Sequence, residues 1–397
     1  MERIKKFIED LDNHILAHKE KQYPISLIGG SSGIIYYCFN SANKKLKRKG
    51  FKILESLIEQ ITNEPINNTP YVNGICGVMY LLNHLRINGE IEDDIDDFLL
   101  PIEDLIINKA IPQDYKLDNK DFFYGIFGYL HYFVSKPQSI KTERIIVSIV
   151  NDLISSLSKE NNGFFLTNNH YNKNKVNITS ENGNISDIKA INFGLAHGNL
   201  AFGLILVDIL NKYPNNNELT NILQGIINLY LDNIYFDNVE KGLTIFPNLK
   251  FQGGRNIFNA IPMSWCYGDL SVAIFFYKCG ILLKNATYKE LSIKIANMQI
   301  EYASKHLSTL DPYFCHGFTG ASSQFQTLYN LTKVTKFLEQ SLTLQQTAFF
   351  EINKKIEDFD GSLTQFFDSN LDLLNGFLGF GLLCNGRSEE WKQIFLN

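Results

Sequence analysis

Apolar positions along this chain fall into two alternating kinds of segment. The first kind is short and apolar on most sides. Each copy follows a glycine turn: Gly30-Ser-Ser-Gly33 before Ile34–Phe39, Gly74-Ile-Cys-Gly77 before Val78–Leu82, and Gly125-Ile-Phe-Gly128 before Tyr129–Val134. Gly198-Asn-Leu-Ala201 opens a run to Leu210, and Gly268-Asp-Leu-Ser271 opens Val272–Leu283. Gly317-Phe-Thr-Gly320 opens a helix through Leu331, and Gly376-Phe-Leu-Gly379 leads to Leu383. The second kind is longer and more charged, with helical periodicity, at 2–18, 42–63, 93–110, 140–158, 217–233, 286–306 and 335–357. In 140–158, Ile145, Ile149, Leu153 and Leu157 recur every four residues, which predicts one apolar face. Segments apolar on most sides predict helices buried all round.

Seven amphipathic helices alternating with seven buried ones predict an all-α fold, an α/α toroid. In it a double ring carries the amphipathic set outside and the glycine-opened set inside. The expected organisation is one domain over 1–397. Two intervals exceed the repeat: 163–192, with Phe164, Phe165, Val176 and Ile178, and 234–257, with Tyr235, Ile245, Phe246, Gly253 and Gly254. Both read as loop or short-strand excursions on the rim that carries the glycine turns.

Composition narrows the class. A chain of 397 residues, 45% hydrophobic with 30 Phe and 19 Tyr, is globular. A net charge of −5 without a dense basic run argues against nucleic acid as a partner. No apolar run is long enough to span a membrane, and the charged amphipathic N-terminus does not read as a signal peptide. Six irregularly spaced cysteines suggest no disulfide framework, so a reducing cytoplasm is expected.

Chemistry concentrates at the turns. Cys315 and His316 stand side by side before Gly317, and Cys266 lies two residues before Gly268. Two thiols and an imidazole form a three-ligand set of the kind zinc enzymes use when the fourth position is left to water or substrate. His197 directly precedes Gly198, and Asp121 lies four residues before Gly125. If the turns share one end of the ring, these residues converge on one mouth. The bland readings stand beside these: an aspartate at a helix start can be only a cap, and Cys38, Cys76, Cys279 and Cys384 read as ordinary buried thiols. Isolated histidines such as His84 and His131 read as structural. Cys279 and His306 are the candidates for a fourth ligand that would close a structural zinc site. Each sits about a dozen residues from its turn.

The motifs GLAHG at 194–198, WCYG at 265–268 and CHGFTG at 315–320, in that order, resemble the lanthionine synthetase C-like family, the lanthipeptide cyclases. The resemblance covers nearly the whole chain. It implies a double ring of seven inner and seven outer helices around one Zn²⁺. It also implies addition of peptide cysteine thiols to dehydroalanine or dehydrobutyrine, giving thioether rings. Carried over, Cys266, Cys315 and His316 are the metal ligands, His197 and Asp121 the proton-transfer residues, and Tyr267 a site residue beside the metal. The implied partners are a dehydrated precursor peptide, a separate dehydratase and an exporter. One position departs from the family pattern: Pro262 stands where many members carry an arginine, and Arg255 lies seven residues further back. That departure motivates an alternative, a non-catalytic thiol- or peptide-binding member of the fold. A thiol alkyltransferase on a six-hairpin toroid is a third reading, opposed by the seven units and the Cys-Cys-His set.

Zinc chemistry suits these residues. The metal lowers the pKa of a bound thiol towards neutrality, and addition to a dehydro residue leaves an enolate that needs a proton at Cα. Histidine is a fitting acid for that step.

Overall fold

The computed structural model describes residues 2–17, 23–92, 95–167, 190–251, 255–306 and 310–396. Its helices in chain order are α1 (Glu2–Ala17), α2 (Ser31–Asn40), α3 (Lys44–Asn63), α4 (Ile75–Ile87), α5 (Asp96–Leu105), α6 (Ile111–Lys116), α7 (Ile126–Ser135) and α8 (Ile140–Ser155). After these come α9 (Asn199–Lys212), α10 (Asn217–Leu231), α11 (Asp269–Leu282), α12 (Ala286–His306), α13 (Phe318–Thr332), α14 (Thr335–Glu357), α15 (Leu363–Asp368) and α16 (Phe377–Asn385). The residues fall into two compact units, 1–93 with 309–397 and 94–308.

Each glycine-opened helix starts one residue after its first glycine: α2, α4, α7, α9, α11, α13 and α16. The reason is steric. In all seven turns a Cβ on that glycine would lie under 3.0 Å from the carbonyl oxygen six residues earlier. In six of them this carbonyl accepts the N–H of the first helical residue, at 2.7–3.2 Å. In the fourth turn the Asn199 side-chain amide donates to the Asn192 carbonyl at 2.9 Å. The chain thus folds back over its own helix start and satisfies an N–H that would otherwise be orphaned. The glycines adopt extended φ, so close approach rather than left-handed backbone selects them.

The turns are also laced to one another. In the first unit, Phe314 and Cys315 N–H donate to the Leu374 carbonyl, Leu373 N–H to Ile28, and Leu27 N–H to Val72, at 2.9–3.0 Å. In the second unit, Phe122 N–H donates to Ala196 (3.3 Å) and Leu195 N–H to Cys266 (2.7 Å). Each acceptor is the residue two before the next glycine. The first unit therefore runs sixth turn to seventh, seventh to first, and first to second.

The glycine-opened helices are apolar on most sides and largely buried; all ten residues of α2 are buried. The outer helices bury one stripe. In α8 that stripe is Thr142, Ile146, Ile149, Val150 and Leu153, while Ile145 is only half-buried. A strict four-residue row drifts around a 3.6-residue helix, so the seam shifts by one position. The third outer segment does not end at 110. A π turn, Ile106–Ala110, carries it into α6, with Pro112 in the first turn, and Ile111 N–H bonds to the Ile106 carbonyl. The wider turn accommodates a proline that lacks an N–H.

The excursions become strands: β1 (Ser158–Glu160), β2 (Gly163–Phe165), β3 (Ala190–Asn192), β4 (Leu249–Phe251) and β5 (Asn256–Ile257). β1 and β2 form a hairpin. β3 pairs antiparallel with β4, and β4 with β5, so the two excursions share a sheet. Val176, Ile178, Gly253 and Gly254 lie outside the described residues. Among the described residues no helix is long and apolar enough to cross a membrane.

Candidate functional site

Accessibility alternates within every turn. The residue two before the glycine is buried in each case: Ile28, Val72, Phe123, Ala196, Cys266, Cys315 and Leu374. The residue immediately before the glycine is half-buried or exposed in each case: Gly29, Asn73, Tyr124, His197, Tyr267, His316 and Asn375. The turn therefore clamps one side chain inward and displays the next. Cys266 and Cys315 occupy the clamped position, and His197, Tyr267 and His316 the displayed one.

In the second unit the structure brings Asp121, His197 and Tyr267 together. Asp121 is fully buried. Its Oδ1 accepts the N–H groups of Phe123 (2.7 Å) and Tyr124 (3.0 Å), so it closes the turn that leads to α7, whose own N-cap is Gly125. Its Oδ2 lies 2.7 Å from His197 Nδ1, across 76 residues of sequence. One oxygen serves the turn and the other faces the histidine. A carboxylate only accepts hydrogen bonds, so Nδ1 carries the hydrogen, and in the neutral imidazole Nε2 keeps the lone pair. The His197 ring is flanked by Tyr124, stacked nearly parallel at 6.4 Å between centroids, and by Tyr267 at 6.0 Å. Tyr124 occupies the displayed position and was not anticipated from sequence; the register of the turns is the signal that identifies it.

Cys266 is held from both sides. Its carbonyl accepts Leu195 N–H (2.7 Å) and Ala196 N–H (3.4 Å). Beneath it the fully buried Trp265 stacks on Phe123 at 5.4 Å. Pro262 fills the same register as Pro24, six before the glycine. There only the carbonyl is used: Pro262 accepts Asp269 N–H at 2.7 Å and Pro24 accepts Ser31 N–H at 2.8 Å. The turn is intact without the family arginine. Arg255 is exposed just before β5.

In the first unit, Cys315 is buried and His316 exposed, with Sγ and Nε2 3.7 Å apart. Bond lengths of about 2.3 Å to sulfur and 2.0–2.1 Å to nitrogen at a tetrahedral angle place two zinc donors about 3.5 Å apart. The pair fits one ion. The other four cysteines are reduced thiols whose pKa burial pushes up, Cys384 to about 12. Burial lowers His84 to about 4, where it bonds Asn40 and Asn88.

Comparison with known proteins accords with this frame. The nisin cyclase structure, an α/α toroid, superposes with a TM-score of 0.70 over 100% of this chain and 96% of its own, at 18% identity. Fold and turns together define an all-α toroid protein with a carboxylate–imidazole pair and a thiol–imidazole pair at its glycine turns. The lanthionine synthetase C-like family model matches residues 21–396, and the chain belongs to that family. The nisin biosynthesis protein NisC of Lactococcus lactis subsp. lactis is 24% identical over 356 residues, covering 85% of this chain and 82% of NisC.

Proposed function

We propose that the chain is a lanthipeptide cyclase. It adds cysteine thiols of a dehydrated precursor peptide to dehydroalanine and dehydrobutyrine, closing thioether rings. The observation that carries this reading is the His197–Asp121 pair, 2.7 Å apart on the turn bonded to the Cys266 turn, in a chain of this family. Cys266, Cys315 and His316 would hold Zn²⁺, whose chemistry when bound is to acidify the substrate thiol. The Cys315–His316 separation supports that assignment.

The chain's own residues manage the protons. Asp121 holds the Nδ1 hydrogen of His197 and fixes the ring, so Nε2 is the exchanging atom. It takes the thiol proton and returns a proton to Cα of the enolate. Tyr267, displayed beside the imidazole, would meet the substrate. The reading implies a cytoplasmic enzyme that follows a separate dehydratase and precedes export of the peptide. Pro262 leaves the turn in place, and the non-catalytic thiol- or peptide-binding alternative, motivated by the absent arginine, differs from the cyclase reading in the outcome of the test below.

The test is mass spectrometry of a dehydrated, thiol-containing peptide with and without the zinc-loaded protein. Cyclisation leaves the mass unchanged and removes free thiols from alkylation. Undiminished alkylation refutes the reading.

A further inference from the structure

The fourth turn departs from two of its siblings at one atom. In the second and third turns, the asparagine six before the glycine closes its own turn. Asn68 Nδ2 donates to the Asn73 carbonyl at 2.7 Å, and Asn119 Nδ2 to the Tyr124 carbonyl at 2.8 Å. In the fourth turn, Asn192 Oδ1 accepts Gly194 N–H at 2.8 Å, while Nδ2 leaves the turn and donates to Tyr267 Oη at 3.1 Å. The Gly194 N–H is a donor, so it fixes the amide with its oxygen towards the backbone and its NH₂ towards the phenol. An NH₂ group only donates. Tyr267 Oη is therefore the acceptor in this bond, and the phenolic hydrogen is directed away from Asn192. Tyr313 shows the opposite polarity, its hydroxyl donating to Asn370 Oδ1 at 3.1 Å.

Asn192 is well placed to hold such a setting. It is 2% exposed, ends β3 opposite Leu249, and its carbonyl accepts from the Asn199 amide. Gly194 leaves room for the tyrosine, since a Cβ there would lie under 3.0 Å from the Tyr267 ring.

We propose that Asn192 is a positioning residue that sets the Tyr267 hydroxyl as a donor to the substrate carbonyl that becomes the enolate oxygen. The inference rests on the cyclase reading. The peptide sulfur forms a bond to Cβ, and the Cα=Cβ π pair moves into the enolate. Tyr267 hydrogen-bonds the developing oxyanion without giving up its proton, and His197 delivers the proton to Cα.

Asn192→Asp keeps the shape and the Gly194 bond, but it turns the donor into an acceptor that draws the phenolic hydrogen inward. Loss of one oxyanion donor is worth roughly 10²–10³-fold in kcat, and KM is expected to hold within about twofold. Zinc content stays full. Asn192→Asp in a Tyr267→Phe background slows the enzyme no further. Multiplicative losses, or a wild-type rate for Asn192→Asp, overturn the proposal. Asn192→Ala, which removes the donor, serves the same cycle should Asn192→Asp not fold. A second readout needs neither substrate nor metal: the ¹⁹F signal of 3-fluorotyrosine placed at 267 shifts on Asn192→Asp in the metal-free protein. An unmoved signal overturns the positioning role. A shifted signal with no cyclisation by the parent protein overturns the cyclase reading instead.

Discussion

Asp269 opens α11 with a fully buried carboxylate, and its replacement by asparagine should reshape the pH dependence of stability. Both carboxylate oxygens accept Ile245 N–H at 3.0 Å, Oδ1 accepts Phe246 N–H at 3.3 Å, and Oδ2 takes the Gln299 amide at 2.9 Å. Burial outweighs these donors and pushes the pKa up to about 8. The unfolded value is about 3.9. Between the two, the folded protein holds a proton that the unfolded chain has lost. The contribution is complete below about pH 4 and declines by about 1.4 kcal/mol per pH unit until about pH 8. Over that span the loss is on the order of 5 kcal/mol, large beside a typical folding stability of about 5–15 kcal/mol. The asparagine side chain of the variant would keep an acceptor for the backbone N–H groups. Its NH₂ would meet Gln299 Oε1, which is buried without a hydrogen-bond partner, once that amide turns over. Urea unfolding of wild type and Asp269→Asn from pH 5 to 9, followed by circular dichroism, measures the difference. The variant should gain relative to wild type with each pH unit and level off above about pH 8. A difference that does not change with pH would refute the reasoning.

Cys315→Ala should lose bound zinc in metal analysis while circular dichroism stays helical; retained zinc would remove Cys315 from the ligand set. Asp121→Asn keeps the turn bond through Oδ1 but presents an NH₂ to His197 Nδ1, which forces the hydrogen onto Nε2. Cyclisation by the zinc-replete variant should slow by roughly 10²–10⁴-fold, and an unchanged rate in single-turnover assays would dismiss the tautomer argument. Gly317→Ala drives a Cβ into the Asp311 carbonyl and should cost on the order of 3 kcal/mol in denaturant titrations. Ala201→Gly, at a second-glycine position that already tolerates a Cβ, should cost only about 0.5–1 kcal/mol.

The inner helices were legible because G-x-x-G states a steric requirement. The first glycine makes room for the carbonyl six residues back. The second lies under the carbonyl three before the first, as Gly33 does under Leu27. Where a side chain replaces the second glycine, as at Ser271, its hydroxyl donates to the corresponding carbonyl, that of Trp265, at 2.8 Å. The resemblance grouped Asp121 with His197, but the residues alone did not: the 2.7 Å bond between them joins turns whose adjacency is tertiary. Asn192 and Tyr124 were missed for the same reason, since each matters through a neighbouring turn. The joining of the two excursions through β3 and β4 was hidden because strands of three residues carry too little alternation to reveal a partner.

The displayed position has a consequence for how such a protein can change. Gly29, Asn73 and Asn375 stand in the first unit at the same step of the turn as His316. The fold asks nothing of the side chain at Asn73 or Asn375 beyond reaching solvent, because the hydrogen bonds that build those turns run through carbonyls and through residues further back. Those two positions are blank keys on a keyboard whose frame is already strung. A single codon change there could introduce an acid, a base or a ligand without rebuilding a helix, so new reactivity can be tried on this scaffold one residue at a time.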